Sequence, residues 1–251
     1  MKKFLIPPST AEIENAFIQA FLIIEDCEKK DILLITPTKN QMHTTSLKEL
    51  LGDENVKDLI KKVNIQVKGI SIRLESLKTF KISDPRNSVI IGIHSGKSIL
   101  DKMDDSNANA IIAVPSVINE IVQNWIDTWN PEVYGEEKTD DEKILINNCV
   151  VEKALKTITS LMKRPQTSQI IIKSTLDKEM TVELFKVLRK YNELYDPESI
   201  RKWAIRKGWT SKGADELKDI SKKILEGKRI RGSKIPIWTE ENIKTWRDEC
   251  D

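Results

Sequence analysis

Apolar residues recur along this chain in two rhythms. In the first half, short continuous apolar runs alternate with stretches whose apolar residues fall at helical spacing. A continuous run is the mark of a strand in a parallel sheet, where successive side chains point to opposite faces and both faces are covered. Ile32-Leu33-Leu34-Ile35 closed by Pro37, Val89-Ile90-Ile91-Gly92-Ile93, and Ala110 to Val114 closed by Pro115 are such runs. Ile65-Gln66-Val67 and Ile70 to Leu74 instead alternate around Lys68-Gly69, which predicts a hairpin or bent strand with one wetter face.

Helices are predicted between these strands. Ser9-Thr10-Ala11-Glu12 has the form of a capping box, and Ile13, Ala16, Phe17, Ala20, Phe21 and Ile24 follow on one face, so a helix is expected from about Ala11 to Cys27. Leu47, Leu50, Leu51, Leu59 and Ile60 predict one helix or a pair broken near Gly52-Asp53. Another is expected from about Gly96 to Met103. Ser116 is placed to cap a helix bearing Ile118, Ile121, Val122, Trp125 and Trp129. Strands alternating with helices imply βαβ units, hence an α/β fold: a Rossmann-like, mainly parallel sheet over residues 1–135.

The rhythm then changes. Residues 130–143 hold turn formers and a run of acids, and 136–147 is the expected acidic linker. From 148 to 251 the pattern is helical: Val150 to Met162, Leu176 to Tyr191, a helix opened by Asp196-Pro197-Glu198 and ending near Gly208, one from Ser211 or Gly213 closed by Gly227, and a last one from Thr239. Gln169 to Lys173 reads as a short strand or extended connector.

Charge sharpens this division. Residues 1–150 hold 18 basic and 23 acidic side chains, a net of −5, and residues 151–251 hold 23 and 16, a net of +7. Within 201–234 the balance is 12 to 4, or +8, while 239–251 carries −3. A field of that kind concerns partners rather than fold. Arg201, Lys202, Arg206 and Lys207 lie on one predicted helix, and Lys212, Lys218, Lys222 and Lys223 on the next. Lys228, Arg229, Arg231 and Lys234 fill the glycine-bearing segment that follows. Helix, short turn and helix is compatible with a helix-turn-helix pair, and the whole is a candidate surface for nucleic-acid phosphates or an acidic protein partner.

Composition removes several classes. Three cysteines, Cys27, Cys149 and Cys250, lie far apart with no CxxC, so neither a disulfide framework nor a zinc knuckle is expected. With two histidines, a histidine-rich metal site is not expected either, and nothing implies a cofactor. The basic start Met1-Lys2-Lys3 is followed by only Phe4-Leu5-Ile6 before Pro7-Pro8, against about 7–15 apolar residues in a signal peptide. No stretch has the length of a membrane span, so a cytoplasmic location is expected.

Chemistry-bearing motifs are few. Gly92-Ile93-His94-Ser95-Gly96-Lys97-Ser98 follows a strand and opens a helix, but a Walker loop needs its first glycine at the position of Ile91. A turn of this kind still offers amides, hydroxyls and a cation to an anion. In a parallel sheet it joins the other strand ends, where open α/β sheets bind ligands. Those ends carry Thr36, Thr38, Lys39, His94, Ser95, Gly96, Lys97, Ser98 and Ser116, with no carboxylate among them. Such a set suits a phosphorylated small molecule or nucleotide and lacks a general acid/base pair. Glu136-Glu137-Lys138 and Asp141-Glu142-Lys143 have the letters of a metal-dependent nuclease but fall in the expected linker; GxSxG and GxGxxG are absent. No catalytic residue is identified. The leading expectation is a non-catalytic nucleic-acid-interacting or assembly protein; the alternative is an enzyme or sensor binding a phosphorylated small molecule at the strand ends. Trp203, Trp209, Trp238 and Trp246 are expected to fill the helical core, although Trp209 beside Gly208 could stack on a base.

Overall fold

A computed structural model describes residues 1–9, 11–25, 30–39, 46–83, 85–86, 88–136, 144–163 and 170–250. The chain separates into two compact units, residues 1–142 and 143–251. Cys27, most of the expected linker and the start of the Gln169–Lys173 connector lie outside the described residues.

The first unit is mixed α/β. Its described elements are β1 (Lys2–Leu5), α1 (Glu12–Ile24), β2 (Asp31–Thr36), α2 (Leu47–Leu51), α3 (Asp53–Ile60), β3 (Ile65–Val67), β4 (Ile70–Ser76), β5 (Val89–Ile93), α4 (Lys97–Asp104), β6 (Ala110–Val114), α5 (Glu120–Trp129) and β7 (Glu132–Val133). They build a seven-stranded sheet in the order β3-β4-β2-β5-β6-β1-β7, parallel throughout except for β3 against β4. The crossover from β1 to β2 passes over β6 and β5, so β1 lies between β6 and β7 rather than beside β2.

The continuous apolar runs are strands covered on both sides. Ile32, Leu34, Ile72, Ile91 and Ile112 face a layer formed by Phe17 and Ala20 of α1, Leu47 of α2, and Val56 and Leu59 of α3. Leu33, Ile35, Ile90, Ile111 and Ala113 face Ile99, Leu100 and Met103 of α4 and Val122 and Trp125 of α5. Period two in the strands therefore divides one apolar run between two cores. A Cβ at Gly92 would lie 2.6 Å from the Met103 sulfur, so the Met103 side chain of α4 packs directly on the β5 backbone there.

Two expectations in this unit are corrected. Lys2–Leu5, weighed from sequence only as a leader, is a strand whose Lys3 is buried against Asp104. Ser116 does not cap α5. Asn119 does, its Oδ1 accepting from the Ile121 and Val122 amides at 3.1 Å, so the helix starts later than expected and Val117, Ile118 and Ile121 are exposed.

The second unit is helical: α6 (Cys149–Met162), α7 (Thr175–Lys190), α8 (Pro197–Arg206), α9 (Ser211–Leu225) and α10 (Glu240–Asp248). Side-chain caps fix most starts. Asn148 accepts from the Val151 amide, Ser174 and Asp177 form a capping box, Asp196 accepts from Ser199 ahead of Pro197, and Thr210 accepts from Gly213. Leu155, Ile158, Phe185, Leu188, Ile200, Leu217 and Ile243 are buried inside. The predicted connector is reduced to a single bridge, Ile170 to Trp209.

Cysteine is the clearest correction. Cys149, at the start of α6, and Cys250, just past α10, form a disulfide with Cα atoms 5.9 Å apart. Their separation of 101 residues hides the pairing in sequence, because only the packing of α10 on α6 brings them together. No helix among the described residues is long and apolar enough to cross a membrane.

Candidate functional site

The sheet places the predicted strand-end residues at a definite position. β2 leaves toward the α1–α3 face, and β5, its neighbour, leaves toward the α4–α5 face. Adjacent parallel strands whose connections depart to opposite faces leave a crevice at their carboxyl ends, where open α/β sheets take ligands. Thr36, Thr38 and Lys39 end one of these strands and His94 to Ser98 end the other, with Ile35 registered against Gly92.

Within that group the roles separate. Ser95 is 2% exposed; its Oγ donates to the Gly92 carbonyl at 2.5 Å and accepts from the Val114 amide at 3.2 Å. It ties β5 to β6, and its hydroxyl is fully used within the sheet. His94 holds a left-handed backbone at φ 54°, which fixes the turn, and its Nδ1 lies 2.6 Å from Ser116 Oγ. Gly96 is the extended cap residue of α4, Lys97 pairs with Asp101 at 2.6 Å one helical turn on, and Ser98 is exposed. Thr36 Oγ1 donates to the Thr38 carbonyl at 3.1 Å, shaping the chain that leads to Lys39.

Lys39 is different. Its Nζ is buried without a hydrogen-bond partner, and so is Oε2 of Glu75. Burial pulls the Lys39 ammonium below its ordinary range; the charge of Glu75 opposes this and that of Lys62 reinforces it. Glu75 stands near the carboxyl end of β4, registered against Ile35 of β2. The strand ends therefore do contain a carboxylate, contrary to the sequence reading. The available signal was β4's alternation: Ile70, Ile72 and Leu74 are buried while Ser71, Arg73 and Glu75 occupy the half-buried side. Arg73 on that side meets Asp31 at 3.3 Å, and Ser88 Oγ also donates to Asp31 at 2.6 Å, so the neighbouring charges are satisfied where Glu75 Oε2 is not.

The basic residues of the second unit also divide. Arg201 lies on Asp215 at 2.5 Å, Lys218 pairs with Glu198, and Lys202 and Arg206 are half-buried with partners of their own. Lys207, Lys212, Lys222, Lys223, Lys228, Arg229, Arg231 and Lys234 are exposed. Lys228 reaches Glu226 at 2.7 Å and holds that carboxyl below its usual range through their hydrogen bond. Residues 222–234 thus present six exposed cations and one acid.

This segment is seated from beneath. Arg189 of α7 donates to the Ile224 carbonyl at 2.7 Å, and a Cβ at Gly232 would lie 2.0 Å from Glu183 Oε1, so its backbone passes directly over α7. Trp238, donating to the Met180 carbonyl at 2.9 Å and packed at a tilt with its ring centroid 5.7 Å from that of Trp246, fixes its far end. Most of the first turn of α9 is covered, with Ser211, Gly213 and Ala214 buried and Lys212 left exposed, and the Thr210 amide donates to the Ile170 carbonyl at 3.0 Å. Trp203 and Trp209 are core residues, each 3% exposed, with indole N–H groups on Glu152 and Thr159. Trp209 offers no stacking face.

Among the described residues no cluster of three His, Cys, Asp or Glu side chains is placed to hold a metal ion. No curated protein and no solved structure matches the chain. Residues 147–247, within the helical unit, match the family described as Domain of unknown function (DUF1889).

Proposed function

We propose that this protein binds a polyanion, a nucleic-acid backbone, through the basic segment of its helical unit. The observation that carries this reading is the exposure of Lys222, Lys223, Lys228, Arg229, Arg231 and Lys234 on one continuous stretch that Arg189, Gly232 and Trp238 hold against α7. Cations on a seated backbone lose less freedom on binding than cations on a free tail, and phosphate contacts made this way carry affinity without sequence specificity. With Ser211, Gly213 and Ala214 of α9's first turn buried, the contact runs along the end of α9 and the following loop rather than through a recognition-helix N-terminus. A mobility-shift titration at low salt tests this. Retarded DNA or RNA, lost on charge reversal at Lys228, Arg229 and Arg231, is the expected result. Absence of any shift, or a shift indifferent to those reversals, contradicts it, and a shift seen only with an acidic polypeptide reassigns the surface to a protein partner.

A second reading concerns the α/β unit, treated as Rossmann-like in where it takes a ligand: a phosphorylated small molecule at the β2–β5 crevice. The unpartnered Nζ of Lys39 favours it, since a buried cation without an anion is what such a ligand completes. Thermal-shift screening with nucleotides tests it, with stabilisation at saturating ligand expected and none contradicting it.

A further inference from the structure

We infer that Lys39 and Glu75 form a recognition site for the ribose phosphate unit shared by nucleotides and sugar phosphates, a deepening that rests on the strand-end reading above. Neighbouring strands supply the two residues: Lys39 follows β2, and Glu75 lies near the end of β4. Each ends in a buried polar atom with no hydrogen-bond partner. One such atom is a cost; two of opposite character, within electrostatic reach and yet not bonded to each other, frame a place for a third group. The ammonium lacks an acceptor and the carboxylate lacks a donor. A ligand that satisfies both carries an anionic oxygen and, close by, a hydroxyl. Hydrogen phosphate has both an anionic oxygen and a P–OH donor but sets its own charge directly against Glu75, whereas a sugar hydroxyl separated from the phosphoryl group does not, and an uncharged polyol would leave the ammonium without an anion. An amino-acid zwitterion also offers both roles, but Lys62 adds a second positive charge here, so the local balance favours a ligand with net negative charge. The phosphoryl group therefore faces Lys39, and a sugar hydroxyl donates to Glu75.

Isothermal titration of the full chain with AMP, ribose 5-phosphate, 2′,3′-dideoxy-AMP, inorganic phosphate and glycine tests the assignment. AMP or ribose 5-phosphate should bind saturably, at least about tenfold more tightly than the dideoxy compound or phosphate alone, which is the discrimination one satisfied buried polar group provides. Binding by AMP alone identifies a nucleotide, and binding by both identifies the sugar phosphate. Lys39→Met should weaken every phosphorylated ligand at least tenfold, and Glu75→Leu should abolish the preference for the hydroxylated one. The double variant Lys39→Met/Glu75→Leu should melt at or above the wild-type temperature, because it removes two unpartnered polar atoms; a large loss of folding makes the pair structural and overturns the inference. Phosphate ligands that bind equally well to both single variants overturn it while leaving the strand-end reading in place. No binding of any probe to the wild type overturns both, and tighter binding of glycine overturns the ribose phosphate assignment.

Discussion

Two lysines of the α/β unit, Lys3 buried and Lys39 half-buried with an occluded ammonium, separate what the fold needs from what it leaves open. Lys3 lies 2.6 Å from Asp104, which also accepts the indole N–H groups of Trp125 and Trp129, and its ammonium stands 4.0 Å over the Trp129 ring. Replacing Asp104 with alanine strands a buried cation and two indoles, and is expected to cost about 3–5 kcal/mol in urea unfolding. Lys39 has no such partner. The variant Lys39→Met/Glu75→Leu should be neutral or more stable by about 1 kcal/mol. The pH dependence has a definite sign. Burial is the largest influence on both lysines and lowers both below the unfolded value of 10.5, so between the folded pKa and 10.5 the folded chain binds fewer protons than the unfolded one. Stability therefore rises with pH across that window, and removing Lys39 should shrink the rise. Gly92→Ala, driven into Met103, should cost about 1–3 kcal/mol. At this scale the sequence exposed half of the pair. Lys39 was legible because it follows an unmistakable buried strand; Glu75 was not, because β4 reads as half of a hairpin and only the β2–β4 register brings its end beside that of β2.

At the scale of elements, legibility followed how much of the signal is local. β2, β5 and β6 are buried on both faces and announce themselves as apolar runs, and α7 to α9 carry their own capping residues. β1 was missed because two lysines dilute a short strand, one of them neutralised by a residue 101 positions away. The start of α5 was misplaced because Ser116 and Asn119 are both good caps, and only the packing of Val122 and Trp125 decides between them. The Cys149–Cys250 link is non-local in the same way. It closes a loop spanning the whole helical unit and restricts the unfolded chain, so reduction or Cys250→Ser should lower the stability of that unit by about 2–5 kcal/mol. Urea unfolding with and without reductant checks this: the wild-type midpoint should fall on reduction, and the Cys250→Ser midpoint should not move. Equal midpoints for oxidised and reduced wild type would remove the disulfide from the stability of α6 and α10.

Over the whole molecule, charge and fold divide the chain at nearly the same place, an acidic α/β unit and a basic helical one. The net of +8 over residues 201–234 was legible from composition, but its meaning was not. Packing draws Arg201, Lys202, Arg206 and Lys218 into internal partnerships and leaves Lys207, Lys212 and the denser run of cations from Lys222 onward at the surface. The usable surface is therefore smaller than the sequence patch and displaced toward its carboxyl end. Its most direct test is the salt dependence of binding to a labelled oligonucleotide, followed by fluorescence anisotropy. The wild type should lose affinity linearly in log salt, and neutralising Lys228, Arg229 and Arg231 should reduce the magnitude of that slope by about 2–3 while leaving the fold intact. Neutralising Arg201 and Lys202 instead should change it little. Binding that ignores salt, or a slope unaltered by the loop substitutions, would contradict a phosphate-contacting role for this segment.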